Sequence, residues 1–183
     1  MQTLSARQDK NTTKNGNLFK RWFDRNHRWL YRGQRPSWYT KIVNRAWAIV
    51  AARSTLFNGR MFKGLVALEV VGRKSGRVIS FPLVMVTMDG QRYLASMLGN
   101  EAQWVRNVRA ADGQAGLRTG GSREDVQLEE VPAEQRAPIL KVYLRAAPGA
   151  RPHVPVDKDA PLAEFEKIAA LFPVFRLVSR PTK

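Results

Sequence analysis

The 183-residue sequence predicts an α+β fold, a small antiparallel β-barrel flanked by helices and preceded by two amphipathic helices. Three observations carry this. From Leu65 to Leu98 the chain reads as three β-branched and apolar runs separated only by tight turns, at Gly72–Gly76 and Asp89-Gly90. Such short links leave no room for the crossover helices that a parallel sheet needs, which excludes an α/β sheet. Helical periodicity lies at the N-terminal end and in the second half of the chain, outside this run of strands. The length suits one domain with a substantial core.

Each element has a local reason. Met1–Asn17 is polar and reads as a disordered basic tail. Over Leu18–Arg32, at ~100° per residue, Leu18, Phe19, Trp22, Phe23, Trp29 and Leu30 fall within a sector of roughly 140°. Lys20, Arg21, Arg25, Arg28 and Arg32 fall opposite, and Pro36 breaks the pattern. Trp38–Leu56 repeats the design, with Trp38, Ile42, Val43, Ala46, Trp47 and Val50 on one face, until Asn58-Gly59. Leu65–Val71 reads as a buried strand. Val78–Thr87 is the next strand, and Pro82 inside it predicts an edge or a bulge. Asp89-Gly90 is a hairpin signal leading into Tyr93–Leu98. Asn100 is placed to cap a helix over Ala102–Ala111. Gln114–Thr119 and Glu124–Glu130 form a hairpin about Gly120-Gly121, Ala133–Arg145 is helical, and Pro148–Pro155 is a loop. A helix over Pro161–Leu171 and a strand over Val174–Val178 close the chain, and no internal repeat is visible. The expected division is a tail (1–17), amphipathic helices (18–60) and a barrel domain (61–183).

Composition narrows the chemistry. There is no cysteine, which excludes a disulfide scaffold, a Cys nucleophile and an iron–sulfur centre. His27 and His153 are the only histidines, so a His-rich metal site is excluded as well. The net charge is +16, and it is uneven: residues 1–77 hold 17 Lys/Arg against 3 Asp/Glu, the remainder 14 against 12. A uniform nucleic-acid binder would spread that charge, so the question becomes what the first 77 residues touch. The longest uninterrupted apolar run, Ala46–Ala52, is far below the ~20 residues of a spanning helix. No signal-peptide pattern is visible either, and a cytoplasmic protein, with a peripheral place on the inner membrane face as an option, is expected.

Two segments are candidates for chemistry. The turn Gly72-Arg73-Lys74-Ser75-Gly76, with Arg77 beyond, presents backbone N–H groups, a hydroxyl and cations between two glycines. It is either a charged hairpin tip or a phosphate cradle. It is not a Walker loop, and Ser75 lacks the spacing of a nucleophile elbow. The second segment is Trp104-Val105-Arg106-Asn107-Val108-Arg109, where helical spacing puts Trp104, Asn107 and Val108 on one face. It is either an ordinary amphipathic helix with a core Trp or a wall that stacks on a ring and hydrogen-bonds it.

Taken together, Gly72–Gly76, Pro82-Leu83, Ser96 ahead of Gly99, and Trp104-x-x-Asn107-Val108 resemble the deazaflavin-dependent nitroreductase and quinone reductase family. The resemblance is specific over about Leu65–Val131, looser before it and poor after about residue 140. It implies a split β-barrel of the FMN-binding type that takes the deazaflavin coenzyme F-420 and transfers hydride to a quinone, nitro compound or similar small acceptor. It implies that Arg73, Lys74, Ser75, Gly76 and Arg77 hold the coenzyme's phosphate and anionic polyglutamate tail. Pro82, Ser96 and Met97 would lie near the ring, and Trp104 and Asn107 would close the pocket. The cofactor carries the hard step, so no dedicated catalytic acid is required. Two positions depart from the family pattern. Ile79 stands where a basic residue is common, leaving Arg77 to substitute, and Met97 stands where Lys or Asn is common. The tyrosines that surround substrate in the family have no clear counterpart; Tyr143, His153, Phe172 and Phe175 are candidates, with Tyr143 and His153 the candidate catalytic groups.

The basic aromatic stretch over residues 18–57 has two compatible readings, an anchor on an anionic membrane surface or a face that packs on the barrel. Two other readings of the whole chain stay open. One is an FMN-binding split-barrel flavoprotein. The other is a non-catalytic basic module binding anionic lipid or nucleic acid, although no recognisable nucleic-acid motif appears.

Overall fold

The computed structural model describes residues 64–180. The expected tail and both N-terminal amphipathic helices lie outside the described residues. The rest forms a closed barrel of six strands: β1 Leu65–Val71, β2 Val78–Met88, β3 Gln91–Ala95, β4 Gln114–Thr119, β5 Ser122–Glu130 and β6 Val174–Ser179. Around the barrel the order is β1-β2-β3-β6-β5-β4, and β4 returns to β1. Every pairing is antiparallel.

Sequence chemistry explains the hairpins. Val66, Leu68 and Val70 alternate inward along β1 and join Leu94, Leu117, Val126, Leu128, Phe175 and Leu177 in one apolar cluster, the barrel interior. Asp89 and Gly90 both take positive φ (51° and 74°), the backbone that a two-residue hairpin turn needs. Pro82 stands opposite Ala67 in the half of β2 that pairs with β1 alone, while Met85–Met88 pairs with β3. The edge-like position expected of a residue without an N–H is therefore what the barrel supplies.

Helix α1, Gln103–Ala110, caps one end of the barrel. Trp104, Val105 and Val108 enter the interior cluster, and the Trp104 ring lies 5.4 Å from that of Phe175 at 59°. Asn100 does not cap α1, whose N-cap is Ala102 without a side-chain bond. The Asn100 amide instead donates to the Ala170 and Leu171 carbonyls and accepts from Arg109. β3 ends at Ala95, short of the expected Leu98, where Ser96 turns its hydroxyl back to the Gly99 carbonyl at 2.9 Å.

A second apolar layer lies outside the barrel. Helix α2, Arg136–Ala146, preceded by a 3-10 turn at Ala133–Gln135, packs against helix α3, Leu162–Ile168. Ile139, Leu140, Leu144, Phe165, Phe172 and Val174 form its core with Val86 and Ala95. The Pro-rich stretch expected as a loop winds as a 3-10 turn over Pro148–His153, and the last expected helix splits into α3 and a 3-10 turn at Ala169–Leu171. Arg136 is buried and tied to the Val131 carbonyl (2.7 Å) and to Glu130 (3.0 Å). Glu130 also takes both arms of Arg109 at 2.7 and 2.9 Å, so one carboxylate joins α1, β5 and α2.

Candidate functional site

The β1–β2 turn is built by its own backbone. Gly76 N–H donates to the Gly72 carbonyl at 2.8 Å, Ser75 N–H to the same oxygen at 3.1 Å, and Gly72 N–H to the Arg77 carbonyl at 2.8 Å. Gly76 has φ +64°, the left-handed conformation that favours glycine. Gly72 answers a different need. A Cβ there would stand 2.6 Å from Ile79 Cδ1 and 2.8 Å from Ser75 Oγ. The Ser75 hydroxyl lies 3.4 Å from the Arg77 N–H.

Helix α1 reaches this turn. Asn107, 3% exposed, accepts on Oδ1 from the Arg73 guanidinium Nη1 at 2.8 Å and from the Arg73 backbone N–H at 3.4 Å. Gln103, one helical turn earlier on the same face, accepts from the same Nη1 at 3.1 Å. The two sequence segments, 34 residues apart, thus meet at one end of the barrel. Gln103 was missed in the sequence because a polar residue in a first helical turn carries no signal of its partner.

Arg73, Lys74, Ser75, Gly76 and Arg77 are exposed. Among the described residues, neither Lys74 nor Arg77 is paired with a carboxylate, and the Nε and Nη2 donors of Arg73 have no partner. Next to them Val71, Val78 and Ile79 are exposed apolar side chains. A concentration of unmatched cations beside apolar surface suits a ligand with an anionic tail and an apolar ring.

The other expected site residues are distributed unevenly. Pro82 is half-buried on β2. Ser96 is buried in the loop after β3, outside the strand itself, and its hydroxyl is engaged by Gly99. Met97 is half-buried against the helical layer. Trp104 is packed into the barrel interior. Tyr143 is buried in the helical layer, where burial pushes its phenol well above the usual range. Phe172 belongs to that layer too, and Phe175 to the barrel interior. His153 ends the Pro148–His153 turn and is half-buried. Thus the turn and α1 are joined by hydrogen bonds, while Met97, Tyr143 and Phe172 pack in or against a different core. No group of three or more His, Cys, Asp or Glu residues among the described residues is arranged to hold a metal.

Comparison with known families decides the assignment. The family model of the F420H2-dependent quinone reductases matches residues 42–162, about two thirds of the chain. The chain belongs to the F420H2-dependent quinone reductase family. It is a deazaflavin-dependent oxidoreductase, and its cofactor is coenzyme F-420. Solved structures similar to the chain include an F420-H2 dependent reductase, 24% identical, covering 63% of this chain and 95% of that one with a TM-score of 0.45. They also include an F420 reductase, 13% identical, covering 72% and 91% at a TM-score of 0.43. A nimC/nimA family protein from Clostridium acetobutylicum is 11% identical and covers 71% and 86% at a TM-score of 0.41. No curated protein sequence matches the chain significantly. Among the described residues no helix is long and apolar enough to cross a membrane.

Proposed function

We propose that this reductase transfers hydride to a quinone-type acceptor and holds its coenzyme by the anionic tail at the β1–β2 turn. The single observation behind the reading is the junction of the Gly72–Arg77 turn with α1 through Arg73 and Asn107. It brings the cations of one motif beside the Trp104-x-x-Asn107 segment of the other, and among the described residues those cations have no carboxylate partner.

The residues fit the group. Lys74 and Arg77 offer point charge to phosphate and carboxylates, and Arg73 offers a fork of donors whose orientation Asn107 fixes. Bound reduced F-420 supplies the hydride; with a proton from solvent, a quinone becomes a quinol. The chain's part is then to bind, orient and keep water from the transfer. Pro82 supplies half-buried apolar surface for that purpose, and the backbone about Ser96 is held by Ser96 N–H on the Pro173 carbonyl at 2.9 Å. Nitro compounds are acceptors of the same kind, since they too take hydride from a reduced deazaflavin. A lipid-soluble quinone would also give the basic aromatic stretch 18–57 a purpose, holding the reductase at an anionic membrane surface.

The test is a turnover assay with reduced F-420 and a soluble quinone, run beside reduced FMN and beside RNA binding. Quinone-dependent oxidation of the deazaflavin is expected. Activity with FMN alone, or strongly salt-dependent RNA binding without coenzyme binding, would overturn the reading. For the membrane reading, deletion of residues 1–33 is expected to abolish binding to anionic liposomes and spare coenzyme affinity. Insoluble protein would instead mark that stretch as core.

A further inference from the structure

We infer that Gln103 is a positioning residue for the coenzyme's anionic tail, acting through Arg73; the inference rests on the proposed role of the β1–β2 turn. Arg73 Nη1 carries two hydrogens, and two oxygens receive them: Asn107 Oδ1 at 2.8 Å and Gln103 Oε1 at 3.1 Å. Both acceptors stand on α1 one turn apart, and α1 is fixed to the barrel by Trp104, Val105 and Val108. A guanidinium gripped at one nitrogen by a single acceptor still swings about that bond. Gripped by two, its plane is set, and the Nε and Nη2 edge faces away from the helix.

Three features distinguish this from a generic surface contact. Both acceptors are neutral amides, so Arg73 keeps its full positive charge, whereas Arg109, Arg118, Arg123 and Arg136 have theirs matched by carboxylates. The Asn107 oxygen also holds the Arg73 backbone N–H, so side chain and turn are anchored together. And an arginine that only needed stabilising would gain more from a carboxylate at 103 than from an amide. Amide clamping orients the charge without neutralising it, which is what recognition of an anion requires. Most of the benefit falls on binding, because a preset fork loses less rotamer entropy when the anion arrives.

The experiment is a thermodynamic cycle on the full chain, with F-420 affinity read by deazaflavin fluorescence and folding checked by thermal melting. Gln103→Leu removes the acceptor and keeps the bulk. It is expected to weaken coenzyme binding about threefold to tenfold, the range of one net hydrogen bond. On an Arg73→Ala background the same change is expected to have no effect, while on a Lys74→Ala background it is expected to retain its full effect. Equal losses with and without Arg73 would overturn the positioning role. Unchanged affinity in Gln103→Leu, with Lys74→Glu still binding poorly, would overturn it and leave the turn reading intact. Unchanged affinity in both variants would remove the turn reading and this inference with it.

Discussion

Two regions of the barrel treat arginine in opposite ways. On the strands the arginines are matched by carboxylates: Arg118 and Arg123 share Glu69, Arg92 meets Glu124, Arg176 meets Glu129, and Glu130 of β5 is shared by Arg109 of α1 and Arg136 of α2. At the β1–β2 turn, Arg73, Lys74 and Arg77 have no carboxylate partner among the described residues, and Arg73 is held only by amides. Matched charge closes and stiffens a structure. Unmatched charge costs stability through self-repulsion, and its persistence on an exposed turn points to an anion from outside. On the proposed reading, the difference separates the charges that hold this barrel from those that hold its coenzyme.

Breaking the matched side is expected to have the larger effect on stability. Glu130→Ala strands the buried Arg136 guanidinium and frees Arg109, which lowers the unfolding free energy by about 3 kcal/mol, read by urea denaturation. Coenzyme affinity should change far less than stability. Breaking the unmatched side reverses that pattern. Lys74→Glu puts a negative charge against an anionic tail and is expected to weaken F-420 binding about tenfold or more, with the melting temperature held or raised. Unchanged affinity would refute the turn's role.

Gly72→Ala sharpens the comparison from the backbone. The added methyl comes within 3 Å only of Ile79 Cδ1 and Ser75 Oγ, both ends of side chains that can turn aside, so stability is expected to fall by less than about 1 kcal/mol while coenzyme binding weakens through the displaced Ser75 hydroxyl. The smallest effect is in pH. The Arg109 hydrogen bonds, reinforced by the charges of Arg109 and Arg136, hold the Glu130 carboxyl below its ordinary value of 4.5. A depressed carboxylate stabilises the fold above its unfolded pKa and loses that contribution as pH falls through the folded one. The melting-temperature gap between wild type and Glu130→Gln should therefore be full at neutral pH and shrink progressively as the pH falls below the ordinary carboxyl value of 4.5. A gap that persists in acid would mean that Glu130 acts through shape rather than charge.

Much of the barrel was legible because its strands are local statements. Leu65–Val71 is nearly all apolar, Asp89-Gly90 demands a hairpin, and Gly72–Gly76 can only turn. The helix at Gln103–Ala110 and its Trp104/Asn107/Val108 face were legible from spacing alone. The closures β4–β1 and β3–β6 were not, since no short-range signal says which distant strands pair. Asn100 was misread as a cap because a side chain's choice among carbonyls depends on where Ala170 and Leu171 arrive, 70 residues later. The candidate site divides in the same way. Its residues came from two motifs, but the bond that joins them, Arg73 to Asn107, exists only once the barrel has closed over α1. Gln103 and Glu130 were invisible for the same reason: each matters through a partner distant in sequence.

The most direct measurement compares the binding of full-length F-420 with that of the same deazaflavin stripped of its phosphate and glutamate tail, across a range of salt concentrations. If unmatched turn cations hold the tail, the wild type binds the full coenzyme more tightly, the advantage shrinks as salt rises, and Lys74→Glu removes it. Equal affinity for the two ligands at low salt would contradict the account.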